Sequence, residues 1–357
     1  MDHKLPYIFQ EDAHWAAEPE EIDIYAKLVV ACAENHLSPL AAAQEITDIL
    51  AREAWKNKAE IDLHDEDRPY NTNTALVAVS IGSCVSSFPP HSVVHERLFN
   101  MIRSFIKVEK RSIPNIMLDR TGKFRYGDHD ALEESRPTVL LWENLSPLSF
   151  SSSCEWLADV GETWTGVEKC GSRNQQRWRN LSYFSARLAI EGIEHMGWRS
   201  PLQRLLPKYG MPNQKTVGYS GFLAGQVLAA AQWFIPKDHA FWVWRACCNC
   251  EKLCKSSPWL ASGPGSSADS KRNIQEEKQA DEKFTANKTL KELAQSEGWL
   301  WNLENWKSWK AAFTDIVGRV DDVRVHGIVR RDASKAVKVM EELEIYDEAH
   351  SCLLEPD

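Results

Sequence analysis

Three of the nine cysteines fall at helical spacing in the segment C-C-N-C-E-K-L-C. On a helix Cys247, Cys250 and Cys254 would share one face, because positions three and four apart are neighbours. Three thiolates and a fourth ligand could hold Zn²⁺ tetrahedrally. Structural zinc sites usually take ligands from two elements, and the sequence has no second C-x-x-C motif. We therefore predict no metal and no cofactor, and interpret these cysteines as small core hydrophobes, with zinc and redox chemistry as alternatives.

Glu191 and His195 are the candidate catalytic residues. They stand four apart on a very hydrophobic helix predicted over about 176–196, so their side chains share a face. A carboxylate beside a histidine in an apolar setting could form an acid–base pair with shifted pKa values. Arg187 could clamp an anion next to them. The sequence favours the alternative that the pair is structural, either on the helix surface or buried and hydrogen-bonded.

Trp178, Trp306 and Arg187 are the candidate binding residues, because aromatic rings and a guanidinium could line a small-molecule pocket. The chain has 15 tryptophans, which are spread from Trp15 to Trp309. A buried tryptophan contributes a large apolar area and one N–H group that needs a partner. Their spread favours use throughout a core, and a tryptophan-lined pocket is the alternative.

One stretch concentrates these tryptophans, W-L-W-N-L-E-N-W-K-S-W-K-A-A-F at residues 299–313. Trp306, Trp309 and Phe313 follow the spacing i, i+3, i+7 and would share one helix face. We predict a helix that closes the core, with Trp306 and Trp309 buried.

The short motifs of several enzyme classes are absent from the sequence. It contains no P-loop, no strand–helix G-x-G-x-x-G, no H-E-x-x-H and no G-x-S-x-G. The acidic run at residues 62–67 lacks the glycine and the spacing of a calcium loop. These absences favour a protein without catalytic activity, although helical enzymes without a short motif stay open.

Charge and hydropathy restrict the partners. The formal net charge of -9 argues against nucleic-acid binding, which needs a clustered basic face. No segment approaches the ~20 apolar residues of a membrane span, and the start has no continuous apolar run. An odd number of irregularly spaced cysteines is typical of free thiols. We expect a cytoplasmic protein, with the nucleus as the alternative.

Hydrophobic periodicity predicts about ten helices and no sheet. The fold class is therefore all-α, an irregular multi-helix bundle for which a repeat-like arrangement stays open. A predicted helix over 218–235 has Gly221, Gly225 and Ala229 along one side, which would let a neighbouring helix approach closely. Asp332 is predicted to cap the last helix.

The chain divides by composition into three parts. Residues 1–137 form a predicted N-terminal helical region that packs on the main domain, and residues 138–347 form that main helical domain. Glycine, serine and charge dominate residues 262–283, which predicts a disordered insertion. Residues 348–357 form an acidic tail.

Several segments together are similar to a known family. They are L-L-W-E-N-L-S-P at 140–147, W-R-N-L-S-Y-F-S-A-R-L at 178–188, L-A-A-A-Q-W-F at 228–234, W-K-S-W-K-A-A-F at 306–313 and A-V-K-V-M-E-E-L-E at 336–344. In that order they resemble the fungal family of uncharacterised helical proteins called domain of unknown function 3632. The resemblance implies a fungal source, an all-helical fold, no established activity and an association with secondary-metabolite genes.

The function that we expect is therefore a non-catalytic scaffold or protein-interaction module with a protein partner. The alternative is a helical ligand-binding protein or enzyme of fungal secondary metabolism, with a small molecule in a pocket among the tryptophans.

Overall fold

The computed structural model describes residues 4–7, 19–64, 74–115, 138–142, 171–193, 200–206, 219–256, 299–323 and 325–351. Within these ranges the chain forms ten α-helices, one 3-10 helix and two strands of three residues each. The predicted all-α class is confirmed. The short strand pair departs from the predicted absence of a sheet, because three residues are too few to show an alternating pattern.

The chain divides into two compact units, Met1–Thr163 and Trp164–Asp357. The predicted boundary between residues 137 and 138 differs from this division, since residues 138–142 lie in the first unit. The predicted acidic tail starts inside the last helix, which runs to Ser351. The rest of that tail and the predicted insertion at 262–283 lie outside the described residues.

Four helices and the strand pair make up the described part of the first unit. They are α1 (Pro19–Ala33), α2 (Pro39–His64), α3 (Thr74–Ser86), α4 (Val93–Ser104), β1 (Ser112–Pro114) and β2 (Thr138–Leu140). Helix α1 packs against α3, and α2 packs against α4. The Ser92 hydroxyl caps α4 by accepting from the Val94 N–H at 3.3 Å. The apolar side of α4, including Leu98 and Ile102, is buried.

The two strands pair antiparallel, with Ser112 opposite Leu140 and Ile113 opposite Val139. The next residues anchor the pair on the helices. Trp142 donates its indole N–H to the Thr47 hydroxyl at 2.9 Å, and its ring stacks on Phe105 at 4.3 Å between centroids. The core of the unit therefore fixes where β2 ends.

The described part of the second unit has six α-helices and the 3-10 helix. They are α5 (Arg173–Ile190), α6 (Pro201–Arg204), α7 (Tyr219–Ala230), the 3-10 helix Ala231–Trp233, α8 (Lys237–Ser256), α9 (Leu303–Gly318) and α10 (Gly327–Ser351). Helix α9 packs along α10, and α5 packs along α7. Helix α5 is buried over most of its circumference, as its composition predicted.

An aromatic cluster fills the space between α8, α9 and the 3-10 helix. We define it by the residues Trp233, Phe234, Trp242, Trp244, Trp301, Trp306, Trp309 and Phe313. Its closest pair is Trp244 and Trp306, whose centroids lie 4.7 Å apart in an edge-to-face arrangement. Trp306 and Trp309 are buried, which confirms the predicted core role of α9. Edge-to-face contacts add about 0.5–1.5 kcal/mol each beyond burial.

The small-residue side of α7 lies against α5, as predicted. Gln175 on α5 donates its amide N–H to the Gly221 carbonyl at 2.9 Å, and the Ser182 hydroxyl donates to the Ala229 carbonyl at 2.7 Å. A Cβ at Gly225 would stand 2.8 Å from the Gln175 amide nitrogen. The side-chain oxygen of Gln175 also accepts from the Gly171 N–H at 2.7 Å, so Gln175 cannot move without losing hydrogen bonds.

We expect Gly225→Ala to lower the free energy of unfolding by about 1–3 kcal/mol, because the new methyl group overpacks the α5–α7 contact. Alanine in place of glycine inside a helix would otherwise stabilise by roughly 0.5–1 kcal/mol. Urea unfolding of both proteins measures the difference. Gly327→Ala is the matched control, since a Cβ there meets no atom within 4 Å. A variant as stable as the wild type at Gly225 would contradict the expectation.

Candidate functional site

The two predicted binding tryptophans both lie in the core of the second unit. Trp306 is buried and donates its indole N–H to Glu344 at 2.8 Å. Trp178 on α5 is also buried, and its indole N–H has no hydrogen-bond partner in the described part of the chain. Neither ring is exposed to solvent in this structure, so their prediction as ligand contacts stays untested.

The candidate acid–base pair is only partly described. Glu191 is exposed at the C-cap of α5, where its backbone N–H donates to the Arg187 carbonyl at 3.1 Å. Arg187 is half-buried. His195 lies outside the described residues, so the pairing with Glu191 stays a prediction.

The structure describes the side chain of one of the three cysteines that are candidate zinc ligands. Cys247 is buried in α8, whereas Cys250 and Cys254 lie where the structure describes only the helix backbone. Among the described residues, no group of three or more potential ligands is arranged to hold a metal ion.

Asp332 has a role that the sequence analysis did not predict. Helix α10 begins at Gly327, so Asp332 stands inside the helix and the prediction that it caps the helix is wrong. Its carboxylate is 1% exposed and accepts from the Arg179 guanidinium at 2.9 Å and from the Gln232 amide at 3.4 Å. A second guanidinium, on Arg331, lies 3.2 Å from its other oxygen. These contacts join α5, the 3-10 helix and α10.

A second polar cluster lies in the first unit, where residues 4–7 cross the ends of α1 and α3. The backbone N–H of Leu5 donates to the Ser87 carbonyl at 2.7 Å. Lys4 and Tyr7 both donate to one carboxylate oxygen of Glu34, at 3.0 and 3.1 Å. The Lys4 ammonium also lies 4.4 Å from the centroid of the Tyr7 ring. Residues 4–7 are therefore held by both backbone and side-chain contacts.

The thiols close to this cluster are held neutral. Burial raises the pKa of Cys32 to about 11, although the nearby Arg97 guanidinium partly offsets the effect. Burial also raises the pKa of Cys84 well above its usual range, and the neighbouring Cys32 raises it further. The thiolate is the nucleophile, so both cysteines are poor candidates for chemistry at neutral pH.

The strand pair presents apolar side chains to solvent. Leu140 on β2 is 39% exposed and Trp55 on α2 is 42% exposed. Trp55 donates its indole N–H to the Ser112 carbonyl at 2.8 Å, so it covers the outer edge of β1. Ser112 is the partner of Leu140 across the ladder, so Trp55 lies on the β1 side of the strand pair and Leu140 on the β2 side.

The described residues leave the outer edge of β2 without a strand partner. Leu141 donates its N–H to the Arg111 carbonyl at 2.9 Å, so the backbone N–H and C=O groups of these two opposed residues face each other between the strands. In an antiparallel ladder the direction alternates, so the N–H and C=O groups of Thr138 and Leu140 point away from β1. Within the described chain no strand pairs with them. An open edge of this kind is a ready template for another strand.

Comparison with known proteins adds no relative: no family model matches the chain, and neither the curated proteins nor the solved structures gave a match. The resemblance to the fungal helical family stays a prediction. Among the described helices, none is long and apolar enough to cross a membrane.

We expect Asp332→Asn to cost about 3–5 kcal/mol of stability, because it removes one charge of a buried ion pair, the carboxylate that the Arg179 guanidinium contacts. The double variant Arg179→Met/Asp332→Leu should lose less than the single one, since neither charge is then buried alone. Chemical denaturation measures both. Asp315→Asn is the matched control, because its ion pair with Arg319 is on the surface and such pairs contribute only about 0–1 kcal/mol. Equal losses at Asp332 and Asp315 would contradict the structural role.

We expect the attachment of residues 4–7 to weaken as the pH falls. Hydrogen bonds from Lys4 and Tyr7 lower the pKa of Glu34 below its usual range. A glutamate whose pKa is lower in the folded protein than in the unfolded chain, where it is about 4.3, stabilises the folded state. This stabilisation is complete at pH values above the pKa of the unfolded chain, and it is lost as the pH falls through the pKa of the folded protein. The protection factor of the Leu5 amide, which is the intrinsic exchange rate divided by the observed rate, should therefore fall in acid.

In the variant Glu34→Gln the protection factor of the Leu5 amide should be low at all pH values, because the charged acceptor of the Lys4 and Tyr7 hydrogen bonds is gone. Glu60→Gln is the matched control, since Glu60 contacts Lys56 on α2 and not residues 4–7. The same acid-induced loss of protection in wild type and in Glu34→Gln would show that Glu34 does not hold this segment.

Proposed function

We propose that the chain is a non-catalytic helical protein that works by binding another polypeptide at the strand pair of its first unit. The observation that carries the proposal is the outer edge of β2, which pairs with no strand among the described residues and carries the exposed side chain of Leu140. Strand addition is a common recognition mode, in which backbone hydrogen bonds supply affinity and neighbouring side-chain contacts supply specificity.

The roles of the other reactive side chains support a non-catalytic protein. Trp306 fills the core and donates to Glu344. The buried Asp332 carboxylate is neutralised by Arg179 and joins helices of the second unit. Buried polar groups whose hydrogen bonds are already made within the chain have few donors or acceptors left to bind a substrate.

The apolar side chains around the edge support specific recognition. Large exposed hydrophobic residues are most informative where they adjoin a second feature that can bind, and scattered single ones need no explanation. Leu140 stands on the edge strand itself, whereas the nearly fully exposed Val323 stands in the connection between α9 and α10. Val323 therefore serves as a control.

The test is quantitative crosslinking with mass spectrometry in the cells that make the protein, using wild type, Leu140→Glu and Val323→Glu. We expect at least one polypeptide to crosslink to wild type and Val323→Glu and to fall about tenfold with Leu140→Glu, since a buried charge at the edge costs more than 1.4 kcal/mol of binding. Identical crosslinks from all three proteins would reject the edge as a binding surface. Circular dichroism checks that each variant keeps its helices.

A further inference from the structure

We propose that the ends of α1 and α3 form a recognition site for a short peptide, and that residues 4–7 of the same chain occupy this site as a built-in competitor. The peptide that the site fits carries a lysine and, three residues later, a tyrosine. The site uses residues other than those of the β2 edge, so the proposal does not depend on the proposed function. Residues 4–7 show how such a peptide is held.

One carboxylate accepts hydrogen bonds from both ends of the segment. Glu34 follows the last residue of α1, and one oxygen of its side chain accepts from the Lys4 ammonium at 3.0 Å and from the Tyr7 hydroxyl at 3.1 Å. Hydrogen bonds to a charged acceptor are roughly twice as strong as those between neutral groups. Because both donors must reach the same oxygen, Glu34 favours a cation and a phenol that stand three residues apart.

The first residue after α3 holds the backbone of the segment. The Ser87 carbonyl accepts from the Leu5 N–H at 2.7 Å, and the Ser87 hydroxyl donates to the Pro6 carbonyl at 3.3 Å. A residue that precedes proline favours extended backbone, so Leu5 loses less freedom when it docks. The backbone contacts and the proline therefore favour a peptide that is already extended.

An aromatic ring completes the site. The centroid of the Phe88 ring lies 6.0 Å from that of Tyr7 and 5.4 Å from the Lys4 ammonium, and Phe88 is 8% exposed with the segment in place. Aromatic rings attract cations to their faces and gain stability from contact with other rings. Without residues 4–7 the helix ends would present a carboxylate and an apolar ring, which complement a lysine and a tyrosine.

The segment is held weakly enough to exchange. The side chains of Lys4 and Glu34 are 47% and 37% exposed, and ion pairs at the surface contribute little to stability. Pro6 is also exposed. Short segments with few buried contacts open locally while the rest of a domain stays folded. A competing peptide can therefore take the site without unfolding the first unit.

The tether sets the strength that we expect for a separate peptide. Eleven residues, 8–18, lie between Tyr7 and Pro19, the first residue of α1. Short flexible tethers give effective concentrations of about 1 mM, and a segment that occupies its site at that concentration has a dissociation constant of about 1 mM or lower. The tethered segment competes with a separate peptide, so weakening the segment should tighten binding of that peptide.

Fluorine NMR of a capped synthetic peptide Lys-Leu-Pro-Tyr, with a fluorinated tyrosine ring, tests the proposal on the full chain. The variant Lys4→Ala/Tyr7→Ala should bind the peptide at least about tenfold more tightly than wild type, because its own segment no longer competes. Leu5→Pro weakens the segment by a second route, since it removes the N–H that donates to Ser87. It replaces the double variant if that variant loses its helical circular dichroism signal.

Matched changes in the Lys4→Ala/Tyr7→Ala background test the chemistry of the site. Adding Glu34→Gln should weaken peptide binding about tenfold, because hydrogen bonds to a charged acceptor are lost. Adding Glu60→Gln should leave binding unchanged, since Glu60 contacts Lys56 on α2. A peptide that carries the Lys4→Glu change should not bind, because its carboxylate repels that of Glu34.

Three results would overturn the proposal. One is the absence of saturable peptide binding to either segment variant up to about 10 mM, which is well above the dissociation constant expected from the tether. Another is equal binding by wild type and the segment variants, because residues 4–7 would then not compete for the site. The third is binding that Glu34→Gln leaves unchanged, because the peptide would then bind elsewhere.

Discussion

The carboxylate of Asp332 is buried inside the second unit, and a buried charge persists only where other groups replace its lost hydration. Arg179 and Gln232 do so from two other elements, which fixes α10 against α5 and the 3-10 helix. The packing of α9 depends on this arrangement in turn, because α9 lies along α10. The ion pair therefore adds a polar contact to the face that α10 turns inward, which also carries the buried Val329 and Ala336.

Packing of the aromatic cluster also stabilises the second unit. Three indole N–H groups of the aromatic cluster find partners at the edges of the core: Trp309 donates to the Leu202 carbonyl at 2.9 Å, Trp233 to the Ser182 hydroxyl at 3.2 Å and Trp306 to Glu344 at 2.8 Å. These three rings therefore contribute their area without leaving the indole N–H unsatisfied. In the first unit Trp142 does the same with Thr47 and so joins the strand pair to the helices.

Local spacing predicted much of this fold, and contacts distant in sequence account for the rest. The shared face of Trp306 and Trp309 and the close approach at Gly225 follow from helix periodicity and side-chain size, so both predictions are confirmed. Asp332 was predicted as a cap because a cap is judged from its neighbours along the chain, yet its partner Arg179 lies 153 positions away. Its place on the apolar stripe, between Val329 and Ala336, was the available signal.

The candidate site was harder to predict for the same reason. Strands of three residues carry no readable alternation, and whether an edge is open depends on pairing that spans residues 112–140. The contacts of Lys4 and Tyr7 with Glu34 cross about 30 positions and follow no motif. The predicted acid–base pair rested on a helix over about 176–196, but α5 ends at Ile190 and Glu191 stands at its C-cap, so the spacing that suggested the pair does not continue past the helix end.

The aromatic cluster also has an optical consequence. Trp301 contacts Trp233, Trp242 and Trp309 with centroids 5.3–6.1 Å apart, and Trp244 contacts Trp306 at 4.7 Å. Indoles this close share electronic excitation, so light absorbed by one ring is emitted or quenched at another. Ultraviolet emission from the cluster therefore reports the state of its six tryptophans together.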